Sequence, residues 1–236
     1  LATNTYFVLG LRFVRRFTHF YKGNSDIKFY FFSDKCPIDY LPACNIEYHQ
    51  THHKNWVDGT NSKFSNIIKL NICSSDYLFY FDADTNIKKE FNDEWFIKKD
   101  LVGGEHYSAR TTLKDGTGFD RTKGYNSYVP LDSPYPYNYC YGAFFGGKIE
   151  PLIKMMTTVA EWQREDHLRG YEAPVNDESY INKYFHFNKP YIIPIEDFNF
   201  IVSDKGGLGN TRIKIDTTLI EKSIKLNKNI LWDINV

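Results

Sequence analysis

LFYFDADTNI, residues 78–87, sets an aromatic run directly against two aspartates separated by a single alanine. The run is short, apolar and closed by turn-forming residues, as expected of a buried strand in an α/β sheet. Residues two apart in a strand point to the same side. Asp82 and Asp84 are therefore expected to project together from its carboxyl end, where open α/β sheets place their ligands. Two close carboxylates repel, and one takes up a proton unless a cation offsets them. A hard divalent ion does so and completes its shell with phosphate oxygens, which makes Mg²⁺ or Mn²⁺ the expected cofactor, with Asp82 and Asp84 as its ligands. The competing reading is a strand that stops in a solvated turn.

Upstream, residues 9–22 place Leu9, Phe13, Phe17 and Phe20 at helical spacing with Arg12, Arg15 and Arg16 between them, which predicts a packed amphipathic helix with a solvated basic face. KFYFFSD (residues 28–34) and NIEYHQ (45–50) read as strands flanking a loop. Phe64, Ile67, Ile68 and Ile72 form the stripe of a packed helix over residues 60–75. Strand, helix and strand recurring in this order favour an α/β sheet with parallel strands. Downstream, residues 111–139 are rich in Gly, Pro, Tyr and Asn and read as loops with short strands. YGAFFGGK (141–148) is a strand bracketed by glycines, and residues 150–170 form a helix with Leu152, Met155, Met156, Val159 and Trp162 on one face. NDESYINKYFHFN (176–188) opens another helix, with Asn176 or Asp177 as its cap and acidic residues in its first turn.

The chain has 236 residues with 29 basic and 29 acidic side chains, enough for one compact domain and without the charge excess of a nucleic-acid binder. No apolar run approaches the ~20 residues that span a bilayer, and the first residues lack a signal-peptide layout. A soluble, cytoplasmic protein is expected, at most loosely associated with a membrane. It opens at Leu1, so further residues are expected before it. Cys36, Cys44, Cys73 and Cys140 contain no C-x-x-C pair and suit a reducing compartment. His49, His52 and His53 match no zinc spacing and read as a solvated loop.

YLFYFDAD, then YGAFFGG some sixty residues on, then NDESYINKY about thirty further, together resemble glycosyltransferase family 6, the family of the histo-blood-group A and B transferases and the α1,3-galactosyltransferases. The likeness runs from about residue 6 to residue 194. It implies a GT-A fold: a single α/β domain with a mixed, mainly parallel central sheet, a nucleotide-binding half at about 1–100 and an acceptor-binding half at about 101–236. It implies a retaining transfer of GalNAc or galactose from UDP-GalNAc or UDP-Gal, in α1,3 linkage, to the galactose of a fucosylated acceptor such as 2'-fucosyllactose. The composition is similar to that of the bacterial branch, some members of which carry Asn at both D-x-D positions and work without metal. There a lysine-rich tail (Lys214, Lys225, Lys228) could do part of the ion's work.

Residue by residue, the resemblance implies that Glu178 is the catalytic carboxylate beneath the anomeric carbon and that Asp177 contacts the donor sugar. It implies donor contacts from Leu1, Ala2, Tyr6, Trp56, Asp58, Lys63, Asp82, Ala83, Asp84, Gly142, Ala143, Lys225 and Lys228. Lys63 stands where the family has arginine and so loses the bidentate fork. Tyr141 replaces the usual Leu or Met beside the sugar's 2-substituent. Val175 and Asn176 replace the acceptor tryptophan and histidine, and Glu105, His106 and Asp197 are further acceptor candidates. Two other classes remain: a haloacid-dehalogenase-type phosphatase, which also opens on a strand and D-x-D, and a carbohydrate-binding module using the many aromatics. Asn86, where the phosphatase expects Thr or Val, speaks against the first. Aromatics confined to strand-like runs speak against the second.

Overall fold

The computed structural model describes residues 6–52, 56–70, 72, 75–87, 89–97, 99–106, 118–130, 139–194, 197 and 201–203. In chain order the elements are α1 (Tyr6–Phe20), β1 (Phe29–Ser33), β2 (Ile46–Gln50), α2 (Trp56–Ile68), β3 (Tyr77–Phe81), β4 (Thr85–Ile87), α3 (Asp93–Phe96), β5 (Leu101–Glu105), β6 (Cys140–Lys148), α4 (Ile149–Leu168), α5 (Asn176–Asn188), β7 (Tyr191–Ile193) and β8 (Ile201–Ser203). They form two compact units, one of Leu1–His53, Asp82–Trp95 and Asn199–Val236, the other of Lys54–Phe81 and Phe96–Phe198. The units interleave along the chain. The chain crosses from one unit to the other between Phe81 and Asp82.

In the first unit β1 and β2 pair in parallel, from Phe29 opposite Ile46 to Ser33 opposite Gln50. α1 sets the apolar stripe read from the sequence against β1, and it is described from Tyr6, three residues before that stripe. Phe7 meets Phe31 and Tyr40 edge-on, and Phe17 meets Phe29 and Phe91 in the same way. The solvated basic face is overturned: Arg12 and Arg16 are only 3% and 9% exposed. Arg16 Nε donates to Ile87 O at 2.6 Å and Arg15 Nη2 to Tyr40 O at 3.0 Å. These guanidiniums therefore saturate carbonyls of β4 and of the 3₁₀ turn Ile38–Tyr40, within the stretch read as plain loop. β4 pairs antiparallel with β8.

In the second unit the strand order is β3-β6-β5-β7. β6 is antiparallel to β3 and β5, while β5 and β7 are parallel, so three strands run one way and β6 the other. The partner of β3 is thus a reversed strand rather than the parallel one its predecessors suggested. α2, α4 and α5 pack with this sheet, and Phe64, Phe144, Phe145, Leu152, Met155, Met156, Ile181 and Phe185 are fully buried at their meeting. Gly146 lets β3 and β6 meet, because a Cβ there would fall 2.7 Å from Leu78 O.

Among the described residues Cys36, Cys44 and Cys140 are free thiols, and no helix is long and apolar enough to cross a membrane. His49 lies on β2, stacked on Phe32 and 2.8 Å from Glu47, so it belongs to a sheet face rather than a loop. No group of three metal-ligating side chains occurs among the described residues.

Candidate active site

β3 and β5 end, and β6 begins, at the same edge of the four-stranded sheet. α5 starts beside that edge because Gly142 lacks a side chain. A Cβ on Gly142 would fall 2.9 Å from Glu178 Cβ and 3.3 Å from Asp177 Oδ2. Gly142 N–H donates to Glu178 Oε2 at 2.6 Å. Glu178 is partly buried, and desolvation of its carboxylate pushes the pKa up to about 7 against the hydrogen bond from Gly142. The neighbouring charge of Asp177 adds to the rise, while Tyr139 and Lys63 oppose it. Tyr139 is 3% exposed, and burial, then the Glu178 charge, raises its phenol.

Asp177 and Lys63 form an ion pair with both side chains almost fully buried. Lys63 Nζ also donates to Gly142 O at 3.3 Å and sits 4.6 Å from the Tyr80 ring centre. A buried cation enclosed by a carboxylate, a carbonyl and aromatic rings is well compensated. The first turn of α5 therefore carries two carboxylates in unlike settings: Asp177 against a full positive charge, Glu178 against a backbone dipole. The helix lacks the side-chain cap expected from Asn176 or Asp177. Asn176 takes a left-handed φ of 43°, and Val175 N–H turns to Ser179 Oγ at 3.1 Å. Asp177 is engaged with Lys63, so it is not available to cap.

Glu105 is 5% exposed at the end of β5. His106 N–H donates to Tyr139 O at 2.7 Å, and its ring lies against Tyr141 at 4.0 Å between centres. Burial lowers the His106 pKa to about 4, so the ring is neutral near pH 7.

In the first unit the D-x-D stretch is a turn, not the end of a strand. β3 stops at Phe81, and Thr85 N–H donates to Asp82 O at 3.0 Å. Strand alternation therefore does not set the two carboxylates, and they differ: Asp84 is 4% exposed and Asp82 is partly open. Arg12 is lowered to about 10 by burial and by Arg16, and the charge of Asp84 works against that.

Residues 4–203 match the sequence family described as Glycosyltransferase family 6. The chain belongs to glycosyltransferase family 6. It is similar to the O-antigen biosynthesis glycosyltransferase WbnI of Escherichia coli, at 26% identity over 202 residues, covering 82% of this chain and 86% of that protein. It is also similar to histo-blood group ABO system transferases 2 and 1 of Rattus norvegicus, at 30% and 29% identity over 115 residues. These alignments span 49% of this chain and about a third of each rat protein. A family 6 member has the GT-A fold and is a glycosyltransferase, which takes a nucleotide-sugar donor and an oligosaccharide acceptor.

Of the residues singled out from the family 6 likeness, Lys63, Gly142, Asp177 and Glu178 come together directly. Ala143 follows Gly142 on β6, and Val175 and Asn176 lead into α5. Tyr6 opens α1. Asp58 is exposed in the first turn of α2. Asp197 is exposed beyond β7. Leu1, Ala2, Lys214, Lys225, Lys228 and the Trp56 side chain lie outside the described residues. Sequence reasoning overlooked Tyr139, one residue before β6, and Asn182, one helical turn past Glu178. The i, i+4 spacing of Glu178 and Asn182 was the available signal for the second.

Proposed function

We propose that this family 6 glycosyltransferase moves GalNAc or galactose from its UDP-sugar, with retention and in α1,3 linkage, to the galactose of a fucosylated acceptor. The observation that carries the reading is the Glu178 carboxylate at the start of α5, bonded to Gly142 N–H beside the buried Lys63–Asp177 pair. When ionised, Glu178 offers a fixed negative charge in a dry setting, which favours the positive charge that builds on an anomeric carbon as its bond to diphosphate breaks. Asp177, held by Lys63, is suited to take a hydroxyl of the donor sugar. Neutral His106 and Tyr141 offer a hydrogen-bonding and stacking surface for the acceptor.

Asp82 and Asp84 are the residues that would hold a divalent ion, Mn²⁺ in the first place. Two carboxylates make too few ligands for a cage of protein groups alone, and Asp82 is partly open. Bound there, the ion would supply charge to the leaving diphosphate. Arg12 already supplies part of that offset to Asp84.

The test is UDP release from UDP-GalNAc and UDP-Gal, with and without 2'-fucosyllactose, in Mn²⁺ and then in EDTA, with the anomeric configuration of the product read by NMR. Acceptor-dependent release and an α-linked product are expected, with loss of rate in EDTA. Hydrolysis of a generic phosphoester without sugar transfer, or sugar binding without UDP release, would overturn the reading.

A further inference from the structure

β3 accompanies β6 only as far as Phe81 opposite Phe144, so residues 140–143 extend past it. On the β5 side the chain remains served, since Tyr139 O accepts from His106 N–H. Successive residues of an extended chain present their N–H and C=O to opposite sides. The groups of Cys140 and Gly142 therefore face away from β5, where no strand reaches them among the described residues. A main-chain donor or acceptor left orphaned and buried there would be costly.

Three side chains take the place of the missing strand. Cys140 N–H donates to Asn182 Oδ1 at 2.7 Å, and Asn182 Nδ2 donates to Cys140 O at 2.9 Å. The amide thus exchanges the same two bonds with Cys140 that a paired strand residue would. Gly142 N–H goes to Glu178 Oε2, and Gly142 O receives Lys63 Nζ. Asn182 Nδ2 also donates to Glu178 O at 2.9 Å, so one amide ties the first residue of β6 to the residue that carries the carboxylate. Asn182 is 0% exposed. Its orientation is set by its partners, because a flipped amide would oppose donor to donor and acceptor to acceptor.

We infer that Asn182 is a positioning residue for Glu178: its side-chain amide serves as a substitute strand for the open edge of β6 and thereby holds Glu178 on Gly142 N–H. The inference rests on the proposed role of Glu178 in the transfer. A carboxylate locked this way presents Oε1 in one place. A shift of about an ångström at such a point can cost ~10²-fold in rate.

The experiment is steady-state kinetics of sugar transfer from pH 5 to 9 for Asn182→Ala and Asn182→Asp, with Glu178→Gln alongside and thermal melting of each. Asn182→Ala is expected to lower kcat by ~10- to 100-fold with the donor KM within about threefold. Its acid limb moves to lower pH, because water entering the vacated volume resolvates Glu178. Asn182→Asp keeps the shape and the acceptor for Cys140 N–H while removing the amide donors. It sets an acceptor against the Cys140 and Glu178 carbonyls, so it is expected to lose kcat at least as far as alanine does, and it carries the test if the alanine variant does not fold. Wild-type kcat and an unmoved acid limb in the folded variants, even with lower melting temperatures, overturn the inference and leave Asn182 merely structural. If Glu178→Gln keeps full activity, the reading of Glu178 itself falls and this inference with it. An inactive Glu178→Gln beside wild-type-like Asn182 variants removes the inference alone.

Discussion

Asp84, in the unit that carries α1, is buried within the field of the Arg12 guanidinium; Glu178, in the other unit, meets a backbone N–H and a phenol. Asp177, one residue before Glu178, is like Asp84 in having a full cation for company. A backbone dipole offers only a fraction of a charge, so for Glu178 desolvation outweighs it and the pKa rises to about 7. Glu178 can change charge near neutral pH, whereas Asp177 shares its burial with a lysine that faces it. The surroundings, rather than the residue type, set how these acidic side chains hold their charge.

The largest effect is expected where that cation is removed. Lys63→Met leaves Asp177 buried without its counter-charge and should destabilise the fold by ~3–5 kcal/mol, read from urea midpoints. Adding Asp177→Asn should recover most of the loss, since the pair is coupled. A single variant as stable as wild type would show that Asp177 relaxes to water and that its burial is not enforced.

Glu178→Gln comes next. Gln keeps an acceptor for Gly142 N–H, so the fold should stand while kcat drops by at least ~10², with UDP affinity nearly intact. Equal activity would remove Glu178 from the chemistry and erase the distinction between the two carboxylates of α5.

The same group links activity and stability with opposite signs. Its folded pKa, about 7, lies above the ordinary value of 4.5, so the folded state holds the extra proton between those values. Its contribution to stability is fully present below pH 4.5 and is lost as pH rises through 7. On the proposed role of Glu178 the transfer uses the ionised form, so kcat/KM should fall as pH drops below about 7, up to tenfold per unit. Melting temperature and kcat/KM measured together from pH 5 to 9 should diverge in wild type, and the slope in melting temperature should flatten in Glu178→Gln. A parallel decline of both at acid pH would place the titration elsewhere.

Gly142→Ala tests the approach that brings α5 to β6. Its Cβ would lie 2.9 Å from Glu178 Cβ and 3.3 Å from Glu178 Cα. The neighbour is the base of a helical residue rather than a flexible tip, so the strand or the helix must shift. The expected cost is ~1–3 kcal/mol, with transfer activity falling further than stability alone accounts for. A variant with unchanged melting and kinetics would mean that the contact yields freely.

The strongly periodic elements were legible in the sequence: the stripe of α1, the helices α4 and α5, and the aromatic strands β1, β3 and β6. Their patterns survive because each buries one recognisable face. β4, β7 and β8 are three residues long, and β5 is Leu-Val-Gly-Gly-Glu, too short and too glycine-rich to declare a period. The burial of Arg12 and Arg16 was hidden because their partners, the carbonyl of Ile87 and the field of Asp84, come from residues some seventy positions away. Glu178, Asp177 and Gly142 were named through the family likeness, but the bond between Glu178 and Gly142 depends on a strand meeting a helix thirty-six residues later. Lys63 was named as a donor contact, and its pairing with Asp177 could not be read from either local stretch.

The smallest effect sharpens the contrast from the other side. Lys28 and Glu47 face each other across β1 and β2 at 2.6 Å, about as close as an ion pair comes, yet both side chains are about two-fifths exposed. Their hydrogen bond raises Lys28 and lowers Glu47. The Lys28 contribution is therefore present below its ordinary pKa and lost at more alkaline pH, while the Glu47 contribution is present above its own and lost in acid. Across neutral pH both persist, but water and salt screen an exposed pair and two long side chains must be ordered to make it. Lys28→Gln should thus leave the melting temperature unchanged at physiological ionic strength, with at most a slight fall at low salt. If it destabilised the fold as strongly as Lys63→Met, distance rather than burial would govern these pairs, and the contrast between the enclosed Lys63–Asp177 pair and the open one would fail.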